Sequence, residues 1–309
     1  MKNKTIIFAA ILLPLILLTG CMNISKTYDN ADKYTAGNRD ITDSISVLNI
    51  NWSCGSVTVA RGSGDSITVR ETCKVSLDSE KQVHTWVDGD TLRVQFSASG
   101  EVLRGEECDK KLEILVPEGQ KFSGIKCEAS SADIRISEQL CDELTVDTSS
   151  GDIMAEDCAT PKISMTASSG DINVMQKAEC DLIKCTTSSG EIGVTAETVK
   201  ELRTDASSGG ITCNIASADS VYADTSSGEI KLTFGAVPAS TKITASSGDV
   251  KVSLPKDPDF KAEISTSSGD FNYTGISLSK SGDSYSCGSG TNSISVETSS
   301  GDITFNACN

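Results

Sequence analysis

Residues 144–155, LTVDTSSGDIMA, contain the pattern that decides the fold of this 309-residue chain. The tetrapeptide Ser-Ser-Gly-Asp in this stretch begins at Ser149, and close copies recur in steps of 19 to 21 residues, with a final step of 32. The other copies begin at Ser130, Ser168, Ser188, Ser207, Ser226, Ser246, Ser267 and Ser299. A repeat of this length is typical of proteins in which short coils stack on one another.

Apolar and polar side chains alternate on both sides of each tetrapeptide. In the quoted copy, Leu144 and Val146 precede it, and Ile153 and Ala155 follow it. Alternation with a period of two is the pattern of a strand with one buried face. Each repeat is therefore predicted to be a strand, a corner and a second strand. We expect glycine at the corner because glycine tolerates the positive φ that a sharp change of direction often needs.

These repeats predict an all-β fold, a parallel β-solenoid in the form of a single-stranded β-helix that we expect to be right-handed. Equivalent side chains of consecutive coils would then lie about 4.8 Å apart. The regular coils are expected in residues 117–309, and residues 41–116 are expected to form an irregular, strand-rich capping half. Within the 32-residue step, Ser279 to Asn292 predict a loop or a distorted coil, followed by a final coil ending at Asn309.

The first twenty residues resemble a bacterial lipoprotein signal. Two lysines precede an apolar run from Ile6 to Leu18 that is too short to span a membrane comfortably, and Leu18-Thr19-Gly20-Cys21 follows. By this resemblance residues 1–20 would be removed and Cys21 would be lipidated, which predicts an extracytoplasmic protein anchored to the bacterial cell membrane. A signal anchor that contains Cys21 by coincidence is the alternative. Residues 21–40 are polar and are predicted to be a flexible tether.

The composition excludes one class of partner. The chain has 27 basic and 43 acidic residues, and its net charge is −16. A surface of this charge repels the phosphates of nucleic acids, so no nucleic-acid partner is expected. Aromatic residues make up 5% of the chain, which agrees with an elongated solenoid rather than a thick core.

Eleven of the twelve cysteines follow Cys21, and three pairs of them are separated by about one repeat. Neighbouring coils would place such Cα atoms within the roughly 4.4 to 6.8 Å that a disulfide allows, and an exported chain meets oxidising conditions. Structural disulfides are therefore expected at Cys54 and Cys73, Cys108 and Cys127, and Cys287 and Cys308. Cys185 and Cys213 are at inward positions and are expected to be small buried hydrophobes. A zinc site is not expected, because the sequence has no C-x-x-C and His84 is its one histidine.

An acidic residue follows the corner in most repeats. These residues are Asp133, Asp152, Asp171, Glu191, Glu229, Asp249, Asp270 and Asp302. Stacked like charges repel unless they accept backbone hydrogen bonds or share cations. We favour carboxylates that cap the turns, with a Ca²⁺-binding edge as the alternative and no other cofactor. Neighbouring carboxylates could also form a glycosidase pair, but such a pair would be local, whereas these acids recur on nearly every coil.

A polar row lies two residues before each Ser-Ser and is predicted to face outward. Its members are Glu128, Asp147, Thr166, Thr186, Asp205, Asp224, Thr244, Ser265 and Glu297. Extended solenoid faces commonly bind partners, so this row is a candidate surface for a protein or a glycan ligand. A solvated face without a ligand is equally consistent with the pattern.

Residues 41–309 are similar to the bacterial "putative adhesin" family of β-strand repeat domains of unknown function. Three segments carry the resemblance: Leu112 to Gly119, Val250 to Asp257, and Ile294 to Ile303. The resemblance implies a secreted or lipid-anchored β-solenoid that acts in binding, adhesion or surface display without catalysis. An accessory lipoprotein of envelope-stress signalling is the alternative, and a glycan-active β-helix enzyme is less favoured. The cysteine content, Ala132 and Gly210 depart from the family pattern.

Overall fold

The computed structural model describes residues 24–282 and 284–308, so Cys21 and the signal segment lie outside the described residues. In the first third of the chain the strands are β1 (Ile24–Ser25), β2 (Thr35–Ala36), β3 (Arg39–Ile41), β4 (Val47–Asn51), β5 (Cys54–Gly62), β6 (Ile67–Cys73), β7 (His84–Asp88), β8 (Thr91–Gln95), β9 (Val102–Leu103) and β10 (Lys110–Pro117). Three short 3₁₀-helices lie among them: η1 (Ala31–Lys33), η2 (Ser79–Lys81) and η3 (Gly105–Cys108).

The remaining strands belong to the repeats and to the C-terminal end. The repeats contain β11 (Lys121–Phe122), β12 (Gly124–Ala129), β13 (Ser131–Ser137), β14 (Leu140–Cys141), β15 (Leu144–Thr148), β16 (Ile153–Glu156), β17 (Lys162–Ala167), β18 (Ile172–Gln176), β19 (Cys180–Thr187), β20 (Ile192–Ala206), β21 (Ile211–Thr225), β22 (Ile230–Phe234), β23 (Ser240–Ala245) and β24 (Val250–Leu254). The C-terminal end contains β25 (Phe260–Thr266), β26 (Phe271–Thr274), β27 (Ser279–Ser281), β28 (Ser284–Cys287), β29 (Asn292–Thr298) and β30 (Ile303–Ala307).

Each regular coil has a first strand before the Ser-Ser-Gly corner and a second strand after it. First strands pair in parallel with first strands of the neighbouring coils, and Leu144 lies opposite both Ile125 and Ile163. Second strands pair in the same way, with Ile153 opposite Ile134 and Ile172. Strands β20 and β21 are 15 residues long because each joins the second strand of one coil to the first strand of the next. The predicted all-β parallel solenoid is confirmed.

The core is a ladder of small apolar side chains between the first and second strands. Along β15 and β16 the inward residues Leu144, Val146, Ile153 and Ala155 are at most 1% exposed, and their polar neighbours in sequence face outward. Burying one such leucine, isoleucine or valine side chain contributes about 1.5 to 3 kcal/mol. Because every coil repeats this burial, the stack has one continuous core from a narrow cross-section.

The corner glycines are required by the close approach of two backbones. None of these eight glycines, Gly151, Gly170, Gly190, Gly209, Gly228, Gly248, Gly269 and Gly301, has a positive φ, so that expectation is wrong. Instead, a Cβ atom on Gly209 would lie 1.6 Å from the carbonyl oxygen of Gly190 in the preceding coil. The other corners show the same conflict at 1.7 to 2.1 Å. Any side chain at these positions would therefore push neighbouring coils apart.

Threonine hydroxyls complete the hydrogen bonding at alternate corners. The Oγ1 atom of Thr187 accepts a hydrogen bond from the Gly190 N–H at 3.2 Å and donates to the Gly170 carbonyl of the preceding coil at 3.2 Å. Thr225 bonds its own corner in the same way. The serines contribute mainly through their backbones, as in the 2.9 Å bond from the Ser208 N–H to the carbonyl of Ser188, the first serine of the preceding corner.

At the N-terminal end, the stacking order differs from the order of the sequence. Strands β4 and β5 form a coil that lies between two later segments. On one side β4 pairs with β8 and β5 pairs with β10, and on the other side they pair with β12 and β13. The antiparallel strands β6 and β7 continue the two sheets beyond β10 and β8. After β1 to β3, the chain therefore forms the second coil, builds the capping coil over it, and then crosses back to begin the regular repeats.

The C-terminal end repeats this arrangement in reverse, which explains the 32-residue step. After β24 the chain skips one position and forms the outer coil, β25 and β26. The hairpin of β27 and β28 covers the edge of β25, and the chain then returns as β29 and β30. These last strands pair with β23 and β24 on one side and with β25 and β26 on the other. The predicted final coil exists, but it is inserted into the stack rather than added to its end.

Residues 24–41 are attached to the capping end, which corrects the prediction of a flexible tether over residues 21–40. Strand β1 pairs with β9, with Ile24 opposite Leu103, and β2 and β3 pair with β7 and β6. The Gly100 N–H also donates to the carbonyl of Lys26 at 2.8 Å. The polar composition of this segment reflects its surface position rather than freedom from the body.

A buried lysine connects several segments inside the capping end. The ammonium group of Lys110, which has no exposed surface, lies 2.5 Å from the Glu71 carboxylate and 2.7 Å from the Lys81 carbonyl oxygen. It also donates to the carbonyl of Phe96 and lies 4.2 Å from the centroid of the Phe96 ring and 5.1 Å from that of Trp52. Burial lowers the pKa of Lys110 and raises that of Glu71, and each partner opposes the shift of the other.

The corner contact predicts different effects for two adjacent glycines. Gly209→Ala should lower the free energy of unfolding by about 3 kcal/mol or more, because the new methyl group would overlap the Gly190 carbonyl. Gly210→Ala is the matched control, since its Cβ would be an ordinary 3.4 Å from the Glu229 carbonyl oxygen, and it should change stability by at most about 0.5 kcal/mol. Denaturant unfolding of both variants tests this. Equal stability of the two variants would contradict the corner constraint.

Candidate functional site

The predicted acidic ladder lies along the corner edge, and its carboxylates are hydrogen-bond acceptors. The backbone N–H of Asp152 donates to Oδ1 of Asp133 at 3.1 Å, that of Asp171 to Oδ1 of Asp152 at 2.9 Å, and that of Glu191 to Oδ1 of Asp171 at 2.7 Å. Each carboxylate thus bonds the backbone of the neighbouring coil. This pattern supports the interpretation of turn-capping carboxylates.

The inserted coil continues the ladder in its spatial order. The Asp302 N–H donates to Oδ1 of Asp249 at 3.0 Å, and the Asp270 N–H donates to Oδ1 of Asp302 at 2.9 Å. Glu229 differs, because its carboxylate forms ion pairs with Lys231 at 2.6 Å and Lys251 at 2.7 Å. Hydrogen bonds from these two lysines lower the pKa of Glu229. Where Gly210 replaces the acid, the ladder is interrupted.

The ladder does not have the form of a compact cation site. Within residues 24–282 and 284–308, no group of three histidine, cysteine or acidic side chains is arranged to hold a metal ion. Calcium prefers six to eight oxygen ligands around one point, whereas these carboxylates are distributed as single residues along the corner edge. The calcium edge stays a prediction, and the capping role accounts for the hydrogen bonds that are present.

Two substitutions at Asp152 separate these roles. Asp152→Ala should lower the free energy of unfolding by about 1 kcal/mol, because the Asp171 N–H loses its acceptor. Asp152→Asn keeps an oxygen acceptor and removes one of the stacked charges, so it should be neutral or slightly stabilising. Thermal unfolding of both variants, with and without a calcium chelator, provides the measurement. A midpoint that falls with the chelator, together with an Asn variant as unstable as the Ala variant, would establish a structural cation.

The predicted outward row is continuous across the stack. Its residues are direct register partners in the order Glu128, Asp147, Thr166, Thr186, Asp205, Asp224, Thr244, Glu297 and Ser265. The last two are exchanged relative to the sequence because of the inserted coil. We call these nine residues the outward row. At about 4.8 Å per step, they extend over about 38 Å.

The outward row combines acids with a neighbouring column of bases. Lys184, Arg203 and Lys242 lie two residues before row members and face the same side of the first strands. Near the middle of the row, Asp205 and Asp224 are adjacent register partners. Burial raises the pKa of Asp205, and the Asp224 carboxylate raises it further. This surface therefore offers both charge signs and closely spaced carboxylates, which suits a polar partner.

The structure also contains a groove that the sequence analysis did not predict. A cavity of about 470 Å³ crosses the ends of five second strands, between Glu156 and Gly235. Met175 forms part of its wall and is 39% exposed, and small side chains such as Ala196 and Ala216 leave the space open. The signal in the sequence was Met175, an apolar residue at an outward position of β18. It indicates a groove only when the small residues of later coils are placed beside it.

His84 is not arranged for catalysis with the acidic ladder. It lies at the start of β7 in the capping end, is 8% exposed, and its Nδ1 atom is 2.9 Å from the carbonyl oxygen of Gln82. The ladder begins with Asp133 in β13, which pairs with β5 in the opposite sheet from β7 and β8. The geometry brings together no histidine with a nucleophile and an acid among the described residues.

The cysteines of the described residues are free thiols, and the stacking order changes which of them are neighbours. All six cysteines expected in disulfides are unbridged. Strand β10 lies between β5, which carries Cys54, and β6, which carries Cys73. Similarly, the coil of β4 and β5 separates β10, which follows Cys108, from β12, which carries Cys127. Equal spacing in the sequence therefore did not make these pairs adjacent. The third expected pair, Cys287 and Cys308, is also unbridged, and a disulfide between them stays a prediction.

Two inward cysteines have the expected role. Cys185 and Cys213 are both fully buried, and burial raises the pKa of each thiol. They fill the apolar ladder as small hydrophobic side chains, which confirms the interpretation from the sequence.

Comparison with known proteins establishes the family. The sequence profile of the Toastrack DUF4097 family matches residues 45–306. The chain belongs to the Toastrack family. The match includes the regular repeats, the capping coil and the inserted C-terminal coil, and it confirms the resemblance to a family of unknown function that the repeats indicated.

Structural comparison gives a more distant similarity. A crystal structure described as a "putative cell adhesion protein" from Clostridium sporogenes ATCC 15579 is 14% identical to this Toastrack chain, with a TM-score of 0.29. The alignment covers 89% of this chain and 100% of the other. Among curated proteins, no significant match is found. In the described part of the chain, the helices lack the length and apolar character needed to cross a membrane.

Proposed function

We propose that this Toastrack protein is a lipid-anchored, extracytoplasmic protein that binds a protein or glycan ligand through its outward row and has no catalytic activity. The continuous register of the outward row is the observation that carries this proposal. A rigid row of about 38 Å presents many equivalent polar groups at a fixed spacing, so a partner with a repeating or extended surface can contact several coils at once.

The absence of catalysis is supported by the use of the acidic residues. In a glycosidase, two carboxylates act on one bond, and one of them needs an environment that raises its pKa. Here Asp133, Asp152 and Asp171 are exposed, and their Oδ1 atoms each bond a backbone N–H of the next coil. Turnover of cell-wall or host glycans that is lost in Asp152→Asn and Asp171→Asn would contradict this part of the proposal.

The attached N-terminal segment gives the proposed anchor a definite geometry. Ile24 is already paired with Leu103 of the capping end, so only three peptide steps connect it to Cys21. Three extended residues span about 10 Å at most. Lipid on Cys21 would therefore hold the capping end close to the membrane surface, and the regular coils would be the part available to a ligand.

Replacing the proposed lipid acceptor tests the anchor. In cells, Cys21→Ala should abolish incorporation of a labelled fatty acid and release the protein from the membrane fraction, because no other cysteine lies beside a signal segment. A control variant, Cys73→Ala, should keep both the label and the membrane association. Membrane association of Cys21→Ala equal to that of the unchanged protein would contradict lipid anchoring.

Charge reversal in the outward row tests the binding surface. In-cell crosslinking followed by mass spectrometry identifies neighbours of the unchanged protein. Asp205→Lys with Asp224→Lys should reduce the yield of the ligand crosslink about tenfold or more, as expected when closely spaced interface charges are reversed. Glu197→Lys is a matched control on the rim of the groove. Loss of the crosslink in the control alone would place binding in the groove and contradict the role of the row.

The same crosslinking experiment distinguishes the alternative of a signalling accessory. Such a protein needs a membrane protein as a stoichiometric neighbour, whereas a surface-binding protein gives crosslinks to ligands outside its own membrane. A single membrane neighbour that persists when the outward row is reversed would favour the accessory function.

A further inference from the structure

The capping end brings together two cysteines that are distant in sequence. Cys54 is the first residue of β5, and Cys108 ends η3 just before β10. Strands β5 and β10 pair in parallel, with Ser56 opposite Lys111. The Sγ atom of Cys54 donates to the carbonyl oxygen of Cys108 at 2.8 Å.

The backbones approach closely at this point. Gly55 has a φ of 86°, and a Cβ atom on it would lie 2.0 Å from the Lys110 carbonyl oxygen. The Cys54 thiol therefore lies against the backbone of Cys108 where the two segments are in van der Waals contact. Such an approach suits the roughly 4.4 to 6.8 Å between Cα atoms that a disulfide requires.

We propose that Cys54 and Cys108 form a disulfide when the protein is exported. The two thiols together lose two protons and two electrons, which an external disulfide accepts as it is reduced to two thiols. In the first step a Cys108 thiolate attacks the external disulfide and forms a mixed disulfide with it. In the second step Cys54 attacks the sulfur of Cys108, forms the internal bond and releases the second external thiol.

The order of these two steps follows from exposure. Cys54 is 7% exposed, and burial raises its pKa to about 12, so it is a poor first nucleophile. Cys108 is only partly buried and is within reach of a reagent in solution. Once the mixed disulfide has formed, Cys54 is beside its target, because its Sγ atom already lies 2.8 Å from the Cys108 carbonyl oxygen.

A third thiol is the competitor. Cys73 lies on the opposite side of β10, where it is the register partner of Lys110, and its Sγ atom is 3.4 Å from the Glu106 carbonyl oxygen. The thiol of Cys73 therefore contacts the backbone two residues before Cys108, whereas the thiol of Cys54 contacts the carbonyl of Cys108 itself. The direct contact therefore assigns Cys54, rather than Cys73, as the partner of Cys108.

The proposed bond would join the coil of β4 and β5 to the segment that caps it. It closes a loop from residue 54 to residue 108 that includes β6, β7 and β8. In the unfolded chain a covalent loop of this length strongly restricts the conformations available, so the bond favours the folded cap. Because the first coil of the chain is enclosed between later segments, this bond would also oppose its withdrawal from the stack.

Peptide mapping distinguishes the three thiols directly. Trypsin would place Cys54 in the peptide of residues 40–61, Cys73 in 71–74 and Cys108 in 105–110. Full-length protein is isolated from the cell envelope with free thiols blocked at lysis, and it is digested without reduction. The expected result is a linked species of peptides 40–61 and 105–110, with peptide 71–74 carrying the blocking group. Blocked peptides at all three positions, or a link between 71–74 and 105–110, would overturn the proposal.

Thermal unfolding of the same preparation gives an independent readout. Reduction should lower the midpoint of the unchanged protein by on the order of 10 °C, as expected for loss of a bond that closes a long loop. Cys73→Ser should show the same fall, whereas Cys54→Ser and Cys108→Ser should show none. If either of the last two variants does not fold, the other is sufficient. A fall on reduction that persists in Cys54→Ser or Cys108→Ser would overturn the assignment.

Discussion

The contact between corner glycines of adjacent coils is the constraint on which the rest of this structure depends. The carbonyl oxygen of one corner occupies the space where a Cβ of the next would be, and this brings the two backbones into direct contact at every corner. Only when the corners stack this closely can the first and second strands pair in register on both sides. The apolar ladder, the threonine hydrogen bonds and the chain of acidic acceptors all follow from that stacking.

The ends of the stack show how a solenoid can protect its termini. At the N-terminal end the outer coil comes later in the sequence than the coil beneath it, and at the C-terminal end it comes earlier. The first and last complete coils of the sequence are therefore both enclosed by other coils. Antiparallel strands β6, β7 and β28 then cover strands at the ends, which reduces the unpaired edge available for aggregation. A buried ion pair of Lys110 and Glu71 and two aromatic rings fill the wider N-terminal cap.

The repeats give the stack two distinct polar surfaces. On the corner edge the acids are engaged with the backbone of the next coil, so their recurrence is explained by the fold. On the first strands, acids of the outward row bond other side chains instead, as in the 2.6 Å ion pair of Glu128 with Lys126 and the 3.3 Å bond from the Tyr222 hydroxyl to Asp224. The continuity of the row over the stack is a consequence of register. Membership of the Toastrack family fixes the architecture, and it leaves the ligand to be argued from this surface.

The repeat in the sequence was sufficient to predict the strands, the corners, the parallel stacking and the inward and outward faces, because period-two alternation and a constant step are local properties of the chain. It also predicted the positions of Cys185 and Cys213. The insertion of coils at both ends could not be predicted, since strand pairing between distant segments depends on which edges are free after the other coils have formed. For the same reason the spacing of Cys54, Cys73, Cys108 and Cys127 suggested the wrong neighbours, and the groove beside Met175 appeared only when five coils were placed together.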